Sequence, residues 1–182
     1  MVNRLYLRNF GKLVFLALVF SFLAYVMYDK PNDSETQQES SKEETIFTSE
    51  QTNYTFRDSI VEYGMNLLGT PYVTAGSGKE GFDCSGYIYF VFQRFDIEVP
   101  RSTAGYENFG TEIPIEKVQK GDLLLFLSPT RDTIGHIGIV STANGNESDF
   151  IHATSGSAMK VVITNLSNEG YTRRFVKAIR VL

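Results

Sequence analysis

The chain contains one cysteine, Cys84, and two histidines, His136 and His152. These are its rare side chains that can act as nucleophile or base near neutral pH. Cys84 falls at the start of a predicted buried helix. Backbone N–H groups and the positive end of the helix dipole stabilise a thiolate at such a place. The same N–H groups can later donate to an oxyanion. His136 begins one predicted strand, and His152 lies on its hairpin partner. Neighbouring strands run about 4.8 Å apart, so the two rings can meet. A helix start laid across that sheet would bring the thiol to one ring and let the other ring orient the first. That gives nucleophile, base and orienter, the parts needed for acyl transfer. Each residue also has a plainer reading, as a small buried hydrophobe or a structural histidine. A Cys-His-His zinc site with one open position is chemically possible, but the separations from 84 to 136 and from 136 to 152 match no zinc signature. One cysteine excludes an intramolecular disulfide and a cysteine-rich zinc site, and two histidines exclude a three-histidine centre. No metal and no cofactor is expected.

The elements that must position these residues follow from the surrounding pattern. Thr55-x-x-Asp58 is a capping-box start. Ile60, Val61, Gly64, Leu67 and Leu68 then recur at helical spacing, and Gly69-Thr70-Pro71 is a stop. Residues 75–81 form a glycine-rich loop that superficially suggests phosphate binding. Val73 occupies the first glycine position of that pattern and Glu80 its Ser/Thr position, and an acid there repels phosphate. Asp83 is a candidate N-cap for the helix that opens at Cys84. Tyr87 to Phe95 is apolar all round, which predicts burial. Ile97 to Val99 reads as a short extended piece, and Ser102 to Glu107 as a capped turn. Lys120-Gly121-Asp122 turns into Leu123–Leu127, followed by His136–Val140, Phe150–Ala153, Met159–Ile163 and Phe175–Leu182. Asn144-Gly145-Asn146 between two of these is a hairpin signal. Helices first and about five strands after indicate an α+β fold with an antiparallel sheet.

Outside that domain the composition changes twice. Arg4, Arg8 and Lys12 precede Leu13–Tyr28, which carries no charge. Its length lies between a signal-peptide core and the roughly 20 residues of a spanning helix. Residues 1–28 are therefore expected to be a signal or membrane anchor, with the rest exported. They hold no cysteine for lipid attachment. Residues 29–52 are acidic and polar, with almost nothing apolar beyond Ile46 and Phe47, and are expected to be a flexible linker. Residues 53–182 form the domain. The net charge of −4 and pI near 5.2 argue against nucleic acid as a partner.

Six short stretches now stand in order: Gly69-Thr70-Pro71-Tyr72, Phe82-Asp83-Cys84-Ser85-Gly86, Val99-Pro100-Arg101-Ser102, Lys120-Gly121-Asp122-Leu123, Gly135-His136-Ile137-Gly138-Ile139 and Phe150-Ile151-His152-Ala153. Their order and spacing closely resemble the NlpC-type cell-wall peptidases, papain-like cysteine enzymes of bacteria. The resemblance implies a papain-like fold, with a helix carrying the cysteine packed on the sheet that carries the histidines. It implies hydrolysis of amide bonds in peptidoglycan stem peptides or muropeptides, commonly after a γ-linked D-glutamate. By position, Cys84 matches the nucleophile, His136 the general base and His152 the residue that orients it. Tyr72 matches a tyrosine beside the thiol. Asp83, Ser85 and Ser102 match residues that often line the substrate groove, and Arg101 is adjacent to them. The polar segment 128–135 is expected to border the cleft. The resemblance also implies a cell-wall location. Pairing with His136 and the helix terminus is expected to lower the thiol pKa, and a monomer is expected. A non-catalytic domain of the same fold, and a related amidase or acyltransferase, are the competing readings.

Overall fold

The computed structural model describes residues 54–182, which form a unit of their own. The expected anchor (1–28) and linker (29–52) lie outside the described residues. Among the described residues no helix is long and apolar enough to cross a membrane.

Helix α1 spans Phe56–Met65 and opens with the expected capping box: Thr55 and Asp58 each bind the other's backbone N–H. It ends at Asn66, earlier than the Gly69-Thr70-Pro71 stop. The backbone beyond it is used elsewhere. Gly69 turns at φ +83° and donates its N–H to Val161, and Thr70 accepts from Val161 at 2.9 Å. The segment after α1 therefore runs along a strand edge instead of extending the helix. The glycine-rich loop is a tight hairpin of two short strands, β1 (Ser77–Gly78) and β2 (Gly81–Phe82). Helix α2 spans Cys84–Gln93. A short 3₁₀ turn follows at Thr103–Tyr106, without the side-chain cap expected from Ser102.

The main sheet has six strands, one more than the sequence pattern indicates. They are β3 (Thr111–Ile113), β4 (Leu123–Leu127), β5 (Ile134–Thr142), β6 (Asp149–Thr154), β7 (Lys160–Asn165) and β8 (Phe175–Arg180), all antiparallel in the order β3-β8-β4-β5-β6-β7. The additional strand β3 is three residues long, sits at the edge and is largely exposed. No alternation can mark so short a piece, and pairing with β8 is what makes it a strand. The hairpin signal at Asn144 becomes a 3₁₀ turn at Gly145–Glu147, closed by the Ser148 hydroxyl, which accepts from Asn144 N and donates to Gly145 O. A four-residue helix, α3 (Glu169–Thr172), precedes β8.

Both sheet faces are covered. Ile60 of α1 and Tyr87, Ile88 and Val91 of α2 pack on Leu123, Leu125, Ile137, Ile139 and Ile151. Leu124, Phe126, Val140, Phe150 and Ala178 point the other way into a second cluster with Leu166. Side chains alternate along a strand, so a strand buried on both faces must be apolar throughout. That is why Leu123–Phe126 is an unbroken apolar run, and each of these four residues is fully buried.

Candidate active site

Three structural features define the start of α2. Asp83 caps the helix, its Oδ1 accepting from Gly86 N at 2.6 Å, and its carbonyl takes the N–H of Tyr87. The N–H groups of Cys84 and Ser85 are left over and turn toward the thiol. Free N–H groups at a helix start can donate to charge that develops during acyl transfer. The helix start is also pressed against the glycine-rich hairpin: Asp83 N donates to Gly76 O, and a Cβ on residue 86 would come within 2.0 Å of that carbonyl. A side chain at position 86 would push the helix start away from its support.

Arg101 locks this corner. Its Nη2 meets Asp83 Oδ2 at 3.0 Å and the carbonyls of Ala75 and Gly76 at 2.8 and 3.1 Å, while Nη1 reaches Asp83 Oδ1 at 3.0 Å. Ser85 is buried and donates to Asp83 Oδ1 at 3.3 Å. Three of the expected groove residues thus bind one another, and the Asp83 charge is neutralised within the protein. Ser102 is exposed at the start of the 3₁₀ turn.

Cys84 lies with Sγ 3.8 Å from the carbonyl of Gly135, at the start of β5. Burial pushes its thiol up to about 11, and the Asp83 carboxylate adds to the rise. The N–H groups of Ser85 and Cys84 and the Arg101 charge pull the other way but do not win. The depressed thiol expected from the helix terminus is therefore not the state of the free protein. Desolvation of the anion outweighs the helix-start donors.

The histidines also differ from the simple expectation. Strand alternation places His136 and His152 with Phe126 and Phe150 on the face opposite α2, and Tyr171 closes over both rings. The helix does not cross the sheet to reach them. The thiol approaches at the strand end. The rings stand at 90°, with His136 Nε2 2.9 Å from His152 Nδ1. Gly138 makes room for them: a Cβ there would sit 2.5 Å from the Phe150 ring and 3.3 Å from His152 Cβ. His152 is fully buried, and its Nε2 lies 2.9 Å from Thr164 Oγ1 on β7. Burial lowers the pKa of both rings, His152 to about 3 and His136 well below its ordinary value. Arg174 adds to the fall in both. Both imidazoles are neutral at pH 7.

The direction of the bonds along this chain depends on the tautomer of each ring. With Nε2 of His136 directed at His152, Nδ1 is the nitrogen left for the cleft. If Nδ1 is to accept a proton, Nε2 must carry one and donate it to His152 Nδ1. His152 then carries its hydrogen on Nε2 and donates to Thr164. The threonine hydroxyl can accept that hydrogen, so this tautomer leaves no ring nitrogen of His152 without a partner.

A cleft of about 300 Å³ joins Cys84 and His136. Tyr72 lines one side, and burial raises the pKa of its hydroxyl. Pro129 and Gly135 of the polar segment border it, together with Thr154, Tyr171 and Arg174. Asp83, Ser85, Arg101 and Ser102 are not among its lining residues. Thr164, Tyr171 and Arg174 stand in none of the six motif stretches. A threonine in a strand and a tyrosine before an arginine in a short helical turn carry no local signal of a site. Among the described residues no group of three or more His, Cys, Asp or Glu side chains is placed to hold a metal ion.

The arrangement can be compared with known proteins. Residues 69–180 match the family model described as NlpC/P60. The murein DD-endopeptidase MepS/murein LD-carboxypeptidase of Escherichia coli K12 is 31% identical over 131 residues, covering 71% of this chain and 65% of that protein. The gamma-D-glutamyl-L-lysine dipeptidyl-peptidase of Bacillus cereus is 30% identical over 126 residues, 69% of this chain but 36% of the relative. Among solved structures, an NlpC/P60 family protein from Bacillus cereus superposes with a TM-score of 0.62 at 28% identity, over 70% of this chain and 41% of that one. The chain therefore spans less than two thirds of the length of each of these proteins.

Proposed function

The chain belongs to the NlpC/P60 family and is a peptidase; we propose that it cleaves amide bonds in peptidoglycan stem peptides, with Cys84 as nucleophile, His136 as base and His152 as its orienter. The observation that carries this reading is the His136–His152 bond at 2.9 Å behind a cleft shared by His136 and Cys84. The named activities of the relatives support the substrate class. In the reaction, the thiol proton passes to His136 Nδ1 as sulfur attacks the carbonyl carbon. The N–H groups of Cys84 and Ser85 stabilise the oxyanion, an interaction worth on the order of 3 kcal/mol per donor. The C–N bond then breaks, His136 returns the proton to the leaving amine, and a thioester remains. Water, deprotonated by His136, attacks the thioester. The acid leaves and the thiol regains its proton.

Neutral thiol and neutral imidazole in the free protein make proton transfer part of the attack itself. Within the reading, Tyr72 borders the scissile bond. Asp83, Ser85 and Arg101 support the helix start, and Ser102 lies outside the cleft lining. The bond we favour joins γ-linked D-glutamate to the diamino acid, as in the name of the Bacillus cereus relative. The Escherichia coli relative's name points instead to a D,D cross-link. Residues 1–28 would carry the domain out of the cytoplasm and 29–52 would space it from the membrane.

Mass spectrometry of purified muropeptides digested in parallel by wild type and Cys84→Ala tests the proposal. New fragments from wild type alone are expected, and their masses identify the bond. Equal digestion by both proteins would overturn the mechanism.

A further inference from the structure

Arg174 sits between α3 and β8 on the rim of the cleft that holds Cys84 and His136. Its Nε donates to Gly170 O at 2.8 Å and its Nη1 to Leu127 O at 3.0 Å. The guanidinium lies 4.9 Å from the centre of the Tyr171 ring. These contacts hold its plane, and among the described residues Nη2 has no hydrogen-bond acceptor. Among the described residues no carboxylate lies within ion-pair distance of Arg174. The other arginines that brace the fold each have one: Arg57 and Arg180 share Asp122, and Arg101 has Asp83.

This placement is unfavourable for a purely structural group. The charge lies close enough to both histidines to weaken the base. A partly buried guanidinium that is held by two carbonyls and lines a cleft is suited to a carboxylate, which it can meet in a geometrically defined, charge-assisted way.

We propose that Arg174 is a carboxylate-binding subsite that receives a free carboxylate of the substrate close to the scissile amide. This rests on the peptidase reading and names a feature of its substrate. A glutamate linked through its γ-carboxyl keeps its α-carboxylate free, so a stem peptide cut at that linkage carries the required group. A carboxylate docked there would offset the Arg174 charge that adds to the fall in both histidines.

Two synthetic stem-peptide fragments, identical except that the glutamate α-carboxyl is free in one and a primary amide in the other, test the subsite. Wild type should favour the free acid by at least about tenfold in kcat/KM. In Arg174→Gln that ratio should fall toward one, and Arg174→Lys should recover part of it. Equal cleavage of the two fragments by wild type overturns the proposal, as does a wild-type ratio in Arg174→Gln. The wild-type comparison needs no variant, so a folding failure of Arg174→Gln leaves the test intact. Cys84→Ala, run on the free acid, separates the two readings. If it is inactive while wild type shows no preference, only the subsite fails. If it cleaves like wild type, the peptidase mechanism fails.

Discussion

At the residue level, the catalytic proposal turns on a thiol that is hard to ionise. Burial raises Cys84 to about 11, and both histidines are held neutral. A preformed thiolate–imidazolium pair would alkylate readily at mildly acid pH. In this protein, the rate of iodoacetamide reaction at Cys84 should keep rising with pH through neutrality toward about 11. The chain has a single cysteine, so one mass shift reports the reaction without ambiguity. A rate that levels off below pH 6 would contradict the electrostatics described above. Thr164 is the second test at this scale. Its hydroxyl meets His152 Nε2 at 2.9 Å and can accept from it in the tautomer that frees His136 Nδ1. Thr164→Val should lower kcat by about tenfold with KM little changed, because it disturbs the base and not the binding surface. Thr164→Ser should restore the rate. The imidazole ¹⁵N shifts of His152 should report a changed tautomer in the valine variant and the native one in the serine variant. Native shifts in both would leave Thr164 a packing residue only.

At the level of elements, Asp122 holds the helical part to the sheet. Its carboxylate is fully buried and meets Arg57 of α1 at 3.0 Å, Arg180 of β8 at 3.0 and 2.7 Å, and Gln119 N at 2.7 Å. Removing one member of a buried pair leaves uncompensated charge, so Asp122→Ala should cost about 3–5 kcal/mol in urea unfolding. A loss under 1 kcal/mol would mean the two arginines find other partners. The sequence signalled a turn at Lys120-Gly121-Asp122 but not this hub, because its partners lie far along the chain and on different elements. Other parts of the fold were readable. The capping box of α1, the cap of α2 and strands β4 to β8 have local periodicity or local donors and acceptors. The three-residue β3 has neither. The face of the histidines was hidden for a different reason. Leu123–Leu127 and Ile137–Val140 are apolar at nearly every position, so alternation could not say which side α2 covers. The pairing of Arg101 with Asp83 was equally silent: both residues belong to motif stretches, and proximity in a motif does not distinguish a groove wall from a brace.

At the level of the whole molecule, the histidines of the proposed site also bear on stability. The native state holds both neutral, His152 to about pH 3, whereas unfolded histidines titrate near 6.5. Between those values the unfolded chain binds more protons than the folded one. Stability must therefore rise with pH in this window, and fall as pH drops below 6.5. Each buried ring contributes up to about 1.4 kcal/mol per pH unit. Unfolded carboxylates titrate near 4, so the window from 6.5 to about 4.5 belongs mainly to the histidines. Asp58, whose carboxyl is held low by Lys120 and Thr55, adds its own loss only at lower pH. On the alkaline side the sign reverses. The thiol is raised from 9.0 to about 11, so the unfolded chain releases its proton first and stability falls as pH rises from 9 toward 11. Urea midpoints measured at pH 7.5, 6.0 and 5.0 should decline steadily for wild type. In the double variant His136→Gln, His152→Gln the midpoints should lie close together, whatever their absolute level. The decline would then belong to the two rings. A flat wild-type profile over this range would mean that the rings charge without unfolding the domain. Their burial on the far face of the sheet would then be looser than Phe126, Phe150 and Tyr171 make it.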